Sequence, residues 1–350
     1  MDARELKEIC VRLEDNSPLG RLFDMDVLDA HGKKLQRLQE RGCLVCGASG
    51  RVCAARRLHP VSQLQTVTNQ ILSQHFARAD SEHIASLAVQ SLIDEVNTTP
   101  KPGLVDRRNN GSHLDMTLQH FYRSANALSS YFSKCVQIGQ ETAQLSPKET
   151  FPPLRAAGLE AEKAMYQATG GINTHKGIIY SMGILCGSIG RLWSAAAPFA
   201  SIDAILSECA KISAESAIAD LASANGTTAG EKCYRNYGIG GIRKEVADGM
   251  PSVREISLPC YRKMLSAGMS TNDAGAVTLL HLIAAVDDTN LYSRGGLDGA
   301  LWAAKEAASL LPTPSLPDIN ALDDAFIARN LSPGGCADLL AVTYFLASLQ

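Results

Sequence analysis

From Ile84 onward apolar side chains return every three or four positions, a period that buries helix faces and leaves little of the chain able to alternate as strand. Ile84, Leu87, Ala88, Leu92 and Val96 make one such face, and Leu118, Phe121, Ala125, Leu128, Phe132 and Val136 make another. Further helices are predicted over about 154–169, 175–193, 202–221, 253–267, 273–286, 296–310 and 335–349. Aromatic residues are only 5% of the chain, a balance that favours closely packed helices over sandwiches and barrels. The expected fold class is mainly α: a large multi-helix domain over 80–350 preceded by a small N-terminal α+β fragment over 1–75.

That fragment carries one strand-like segment at 22–28, a Gly- and Arg-rich piece at 41–59 and a helix at 61–72. The polar run SQHFARADSE (73–82) interrupts the apolar period and is read as the domain boundary. With 350 residues, 45% of them hydrophobic, the chain has ample material for a large core. A formal charge of −3 provides no bulk attraction to nucleic acid, so a phosphate-bearing ligand must be gripped by local clusters. The charged first ten residues lack the apolar run of a secretory signal, and no apolar stretch reaches bilayer length. The expectation is a cytoplasmic protein with neither membrane nor nucleic-acid partner. Seven of the ten cysteines are scattered singly and read as small core residues of a reducing compartment.

Between the helices lie five compact clusters rich in Gly, Asn, Asp, Thr, Lys and Arg: TTPKPGLVDRRNNGSHLDM (98–116), GGINTHKG (170–177), GIGGIRKEVADGMP (238–251), DDTNLYSRGG (287–296) and LSPGGCADLL (331–340). Any one of them alone reads as ordinary helix capping. Five near predicted helix starts, where free backbone N–H groups attract anions, point to a shared anion-binding cleft. Neither a P-loop nor a dinucleotide fingerprint is present, so a nucleotide would be held another way. Lys101, Arg107, Arg108, Lys176, Arg243, Lys244 and Arg294 stand beside Asp106, Asp115, Glu245, Asp287, Asp288 and Asp338, a mixture that suits a polyphosphate with its Mg2+.

EVNTTPKPGLVDRRNNGSHLDM (95–116), GGINTHKG, DTNLYSRGG and SPGGCADLLAVTYF, in this order, resemble the blocks of the triphosphoribosyl-dephospho-coenzyme A synthase family. Where that family shows ARGEA and GFP, this chain has GIRKEVADGMP, keeping Arg243 and Glu245. The resemblance implies a transferase that joins the triphosphoribosyl group of ATP to the 2′-hydroxyl of 3′-dephospho-CoA, releases adenine and so makes the precursor of the citrate lyase prosthetic group. Under it, Lys101, Arg107, Asn109, His113, Asn173, Lys176, Arg243, Asn290 and Arg294 would contact substrate or phosphate. Asp106, Asp115 and Asp288 would hold Mg2+, and Glu245, Asp288 and Asp106 would serve catalysis, with Glu245 first among candidates for base or cation stabiliser. Asp115 also reads as a helix cap, Asp338 as a partner of its own helix start, and His175 as a helix-end residue. Loss of Lys101 or Asp288 is expected to lower turnover with the fold intact.

GRLFDMDVLD and CLVCGASGRVCAARRLH, within residues 5–60, resemble part of another enzyme of the same pathway, apo-citrate lyase phosphoribosyl-dephospho-CoA transferase. Strand alternation would put Asp24 and Asp26 on one face, as a Mg2+ site requires, but only part of that family's length is represented and the second transfer is expected to be lost. Cys43, Cys46, Cys53 and His59 have a spacing that could hold Zn2+, with free thiols in a loop as the alternative. Two other functions stay open: a Mg2+-dependent hydrolase of an ADP-ribose-like N-glycoside, which needs no acceptor, and an inactive module that docks the citrate lyase acyl carrier protein or its transferase.

Overall fold

The computed structural model describes residues 2–222 and 229–349 and divides into two units, Met1–Asp80 and Ser81–Gln350. In the first, α1 (Ala3–Asn16) begins with a capping box between Asp2 and Glu5, and α2 (Gly50–Ala55) starts at Ser49, whose hydroxyl accepts from Val52 N–H. The division falls within α3 (Val61–Asn97), which runs without interruption through the polar stretch 73–82. Gln, Ala, Arg and Glu are good helix formers and no Gly or Pro occurs between 61 and 97, so polarity there changes which face is wet and does not end the helix.

The N-terminal unit is not α+β. Among its described residues the extended pieces meet only as isolated antiparallel bridges, Leu28 with Lys34 and Gly42 with Ser49. Segment 22–28 has no neighbouring strand to pair with, and side chains take over its backbone groups. Glu14 accepts from Met25 N–H at 2.7 Å, and Arg41 donates to the carbonyls of Phe23 and Gly20 at 2.6 Å each. Asp26 pairs with Lys34 at 2.5 Å.

The second unit contains the core. Its helices are α4 (Leu118–Ala127), α5 (Ser129–Glu141), α6 (Phe151–Thr169), α7 (Lys176–Leu192), α8 (Ile202–Ala222), α9 (Ala229–Tyr237), α10 (Gly241–Ala247), α11 (Leu258–Ser266), α12 (Thr271–Ala285), α13 (Thr289–Leu310), α14 (Leu316–Ala328) and α15 (Gly334–Ser348). The apolar face predicted over 118–136 breaks at Leu128 into α4 and α5. Helices α7, α12 and α15 are buried nearly all round. α7 crosses α5 at backbone distance: a Cβ on Gly139 would lie 2.0 Å from Gly187 O, and one on Gly190 2.0 Å from Val136 O. α13 starts seven residues before the predicted 296 and bends at Gly296, which adopts φ 62° and ψ −163°. α14 was not predicted; its Pro317 sits in the first turn, where the missing N–H costs nothing. Among the described residues no helix is long and apolar enough to cross a membrane.

Candidate active site

All five sequence clusters contribute to the wall of one open cleft of about 1070 Å³ in the second unit. They do so because helix starts meet there: Lys176 and Gly177 of α7, Thr289 and Asn290 of α13, and Gly334 and Gly335 of α15 all line it. Amide N–H groups at three helix N-termini make the wall attractive to phosphate.

Nine of the sequence-predicted site residues reach the cleft: Lys101, His113, Asn173, Lys176, Arg243, Glu245, Asp288, Asn290 and Arg294. Lys101 is buried at 1% exposure, where its ammonium donates to the buried Glu95. Burial raises the Glu95 carboxyl and the Lys101 charge opposes that rise. Lys176 pairs with Glu162 at 2.9 Å, Lys244 with Asp248 at 2.5 Å, and Arg243 lies 3.9 Å from Asp220. Lys176, Arg243 and Lys244 keep solvent exposure and form the basic margin. Arg294 ties loops together, donating to Ser112 O at 3.0 Å, Asn330 Oδ1 at 2.9 Å and His113 Nδ1 at 3.2 Å. His113 Nε2 in turn meets Ser332 Oγ at 2.9 Å, and burial followed by the Arg294 charge lowers its pKa. Asn173 Oδ1 accepts from Lys176 N–H at 3.3 Å, and Asn290 packs against Gly334.

Asp106, Arg107, Asn109 and Asp115 do not line the cleft. Asp106 is buried and accepts from the backbone N–H groups of Lys101, Arg108 and Asn109, holding their loop in shape. Asn109 donates to Asp323 at 2.8 Å, and Arg107 reaches Asn272 at 2.9 Å on the exterior. Asp115 is exposed, and Thr117, not Asp115, caps α4. Asp106, Asp115 and Asp288 therefore do not gather about one point. Among the described residues the group of acids, cysteines and histidines close enough to share an ion is Cys43, Cys46, Cys53 and His59, in the first unit.

The acids inside the cleft differ in how occupied they are. Glu245 accepts from Ser252 N–H at 2.8 Å and Ser252 Oγ at 3.0 Å. Asp288 caps α13 through Asn290 N–H at 2.7 Å and accepts from Cys336 N–H in the first turn of α15 at 2.8 Å, binding two helix starts together. Both carboxyls are raised by burial against these hydrogen bonds. Asp338 has no hydrogen-bonded partner among the described residues: its oxygens sit over Gly177, where a Cβ would lie 2.0 Å away. Burial, then the charges of Glu95 and Asp288, lift its carboxyl well above the ordinary range. Asp287 is exposed on the same wall and accepts from Tyr292 Oη through Oδ1.

His175 precedes α7 but its side chain does not cap the helix. Thr174 Oγ1 donates to Ser124 Oγ at 2.7 Å, and Ser124 Oγ lies 2.7 Å from His175 Nδ1. With the serine hydroxyl donating to Nδ1, the imidazole hydrogen falls on Nε2. Nε2 is buried without a partner among the described residues, as is Tyr180 Oη, and both residues line the cleft. Burial, assisted by Lys101, depresses the imidazole to about 3, so it stays neutral at working pH. Buried polar atoms without partners are rare in finished folds, and two at one cleft mark where a ligand's polar atoms belong. Asp338, His175 and Glu95 lie inside or beside the quoted clusters, but their site character depends on partners that the sequence does not display.

Residues 81–350 match the family described as ATP:dephospho-CoA triphosphoribosyl transferase, and residues 1–75 match apo-citrate lyase phosphoribosyl-dephospho-CoA transferase. The chain is 41% identical over 273 residues to the probable 2-(5''-triphosphoribosyl)-3'-dephosphocoenzyme-A synthase of Citrobacter koseri, spanning 76% of this chain and 90% of that one. It is 39% identical over 276 residues to the 2-(5''-triphosphoribosyl)-3'-dephosphocoenzyme-A synthase of Klebsiella pneumoniae, spanning 77% and 91%. Protein CitXG of Haemophilus influenzae is 37% identical over 370 residues, spanning 100% of this chain and 78% of that relative. No solved structure matches.

Proposed function

Because the chain belongs to the ATP:dephospho-CoA triphosphoribosyl transferase family, we propose that its cleft binds ATP and 3′-dephospho-CoA together, joins the triphosphoribosyl group to the acceptor hydroxyl and releases adenine. Asp338 carries this reading: a carboxylate without a hydrogen-bonded partner among the described residues, beside buried Glu95 and Asp288, in a cleft that cations and helix starts also line. Displacing a base from an anomeric carbon builds positive charge on the ribose ring, which a partly desolvated carboxylate stabilises more than it does the neutral sugar. Its raised pKa also suits it to take the proton that the attacking hydroxyl loses. Adenine leaves with the electron pair of the broken C–N bond and gains one proton, which balances the one lost by the acceptor.

His175 serves the leaving group. Its Nε2–H finds no acceptor among the described residues, and Phe121 packs edge-on against the imidazole at 5.3 Å, a surface that suits a purine ring. A neutral imidazole there donates a hydrogen bond to a ring nitrogen as negative charge gathers on it. Lys176, Arg243 and Lys244, with the helix starts, are assigned to the triphosphate. Lys101 and Arg294 position walls of the cleft, since one is consumed by Glu95 and the other by loop carbonyls. Mg2+ fits as a companion of the phosphates: Asp287 has one oxygen clear of Tyr292 and is the carboxylate best placed to share the ion, whereas both oxygens of Asp288 accept backbone N–H groups. When bound it would supply neutralisation of the phosphate charge. The thiolate and imidazole cluster belongs to the first unit and supplies none of the residues assigned here.

The match of residues 1–75 supports the citrate lyase acyl carrier protein as the destination of the product, and ten free cysteines fit the reducing cytoplasm. The test is incubation with ATP, Mg2+ and 3′-dephospho-CoA while adenine and the joined product are followed by chromatography. One adenine per product, and none without acceptor, is the expected result; adenine release that ignores the acceptor would reassign the cleft to hydrolysis. His175→Gln, which keeps a donor near Nε2, should retain far more turnover than His175→Phe.

A further inference from the structure

We infer that Cys43, Cys46, Cys53 and His59 form a structural Zn2+ site that holds the N-terminal unit together. The four side chains come from three separate devices. Cys43 and Cys46 flank a tight turn closed by Cys43 N–H on Ala48 O at 2.5 Å and Gly47 N–H on Cys43 O at 2.9 Å, with Gly47 at φ +74°. Cys53 stands on α2, and the turn after that helix, in which Leu58 N–H reaches Cys53 O at 3.1 Å, returns His59 to the same place.

Their ligand atoms all lie within 4.8 Å of one another; Cys46 Sγ is 3.5 Å from Cys53 Sγ and 3.3 Å from His59 Nε2. Zn–S and Zn–N bonds of about 2.3 and 2.0 Å in a tetrahedron put neighbouring ligands roughly 3.5–3.8 Å apart, so the cluster already has the dimensions of one ion's shell. Backbone N–H groups of Val45 and Cys46 point at Cys43 Sγ, the kind of outer support that orients a metal-bound thiolate. Three thiolates and an imidazole are soft ligands that suit Zn2+ over Mg2+.

A second observation points the same way. Among the described residues of Met1–Asp80, Val27 and Cys53 are the only buried apolar side chains. A unit of that length without an apolar core needs a covalent or metal cross-link to hold a unique loop structure, and no disulfide supplies one: every cysteine is free. Metal binding would bring its free energy directly into the order of this unit.

The experiment uses the full chain, purified without a metal-binding tag and kept reduced. Elemental analysis is expected to find about one zinc per chain. Cys46→Ser and His59→Ala should each lose it, while Cys10→Ser, outside the cluster, keeps it. Should the substituted chains fold poorly, the unaltered chain decides alone: after zinc removal, added Co2+ should give the intense visible bands of a tetrahedral thiolate site. Chelation should also expose 43–59 to protease while adenine release persists. A reduced, unaltered chain that takes up neither Zn2+ nor Co2+ overturns the proposal, as does zinc retained in full by Cys46→Ser.

Discussion

Lys101 and Glu95 form an ion pair with almost no access to water, so either charge removed alone strands the other in a medium that cannot solvate it. Lys101→Ala is therefore expected to cost about 3–5 kcal/mol of stability, read from chemical denaturation, and Glu95→Gln with Lys101→Met should regain much of it. Loss of turnover in the single variant would then report folding, not a phosphate contact; the expectation of an intact fold does not suit a lysine this deeply buried. Asp338 behaves in the opposite way. Its folded pKa lies above the ordinary 3.8, so the folded chain binds that proton more tightly than the unfolded one, and this contribution to stability is lost as pH rises through the raised value. Asp338→Asn should raise Tm at pH 8, by about 2–4 °C per kcal/mol relieved, with the gain vanishing toward pH 4. Turnover should fall by at least ~100-fold; unchanged turnover would remove Asp338 from the chemistry. Both aspartates, 288 and 338, are visible in the sequence as acids within glycine-bearing clusters. What separates them is which N–H groups reach each carboxylate, a property of packed helix ends that residue order does not encode.

At the level of helices, α7 shows why small residues matter. Gly139 and Gly190 let α5 and α7 approach until backbone meets backbone, and Gly183 leaves room for Tyr131 Oη, where a Cβ would lie 2.0 Å away. Gly190→Ala places its methyl against a carbonyl that cannot move without its helix, so a loss of about 1–3 kcal/mol or more is expected in thermal unfolding. Gly170→Ala tests the other use of glycine, because its cost comes from φ +69° and not from crowding. Long helices such as α6, α8 and α15 were legible within a few residues, since each carries enough turns of apolar residues to show. Short α9 and α10 sit beside a glycine-rich cluster and carry too few turns for a period. The break at Leu128 has no glycine or proline to announce it. The segment at 22–28 alternates as a strand does, yet a strand exists only with a partner, and among the described residues it finds one only at its end, in the single bridge of Leu28 to Lys34.

Across the whole molecule, the convergence of five clusters was legible as a class of feature, because polar glycine-rich loops at helix starts attract anions wherever they meet. Which loop residues face inward was not: Asp106 and Asn109 resemble ligands by type, but hydrogen bonds of their own loop, and to Asp323 on α14, consume them. The division of the chain was blurred because the same helix continues across it. The cleft itself has a kinetic consequence. At about 1070 Å³ it is at the upper end of the range of small-molecule sites, large enough for donor and acceptor to be present simultaneously. Initial rates measured against both substrates should accordingly give intersecting reciprocal plots, the mark of an ordered or random ternary complex. Parallel lines would instead reveal a ping-pong course, in which one partner departs before the other arrives.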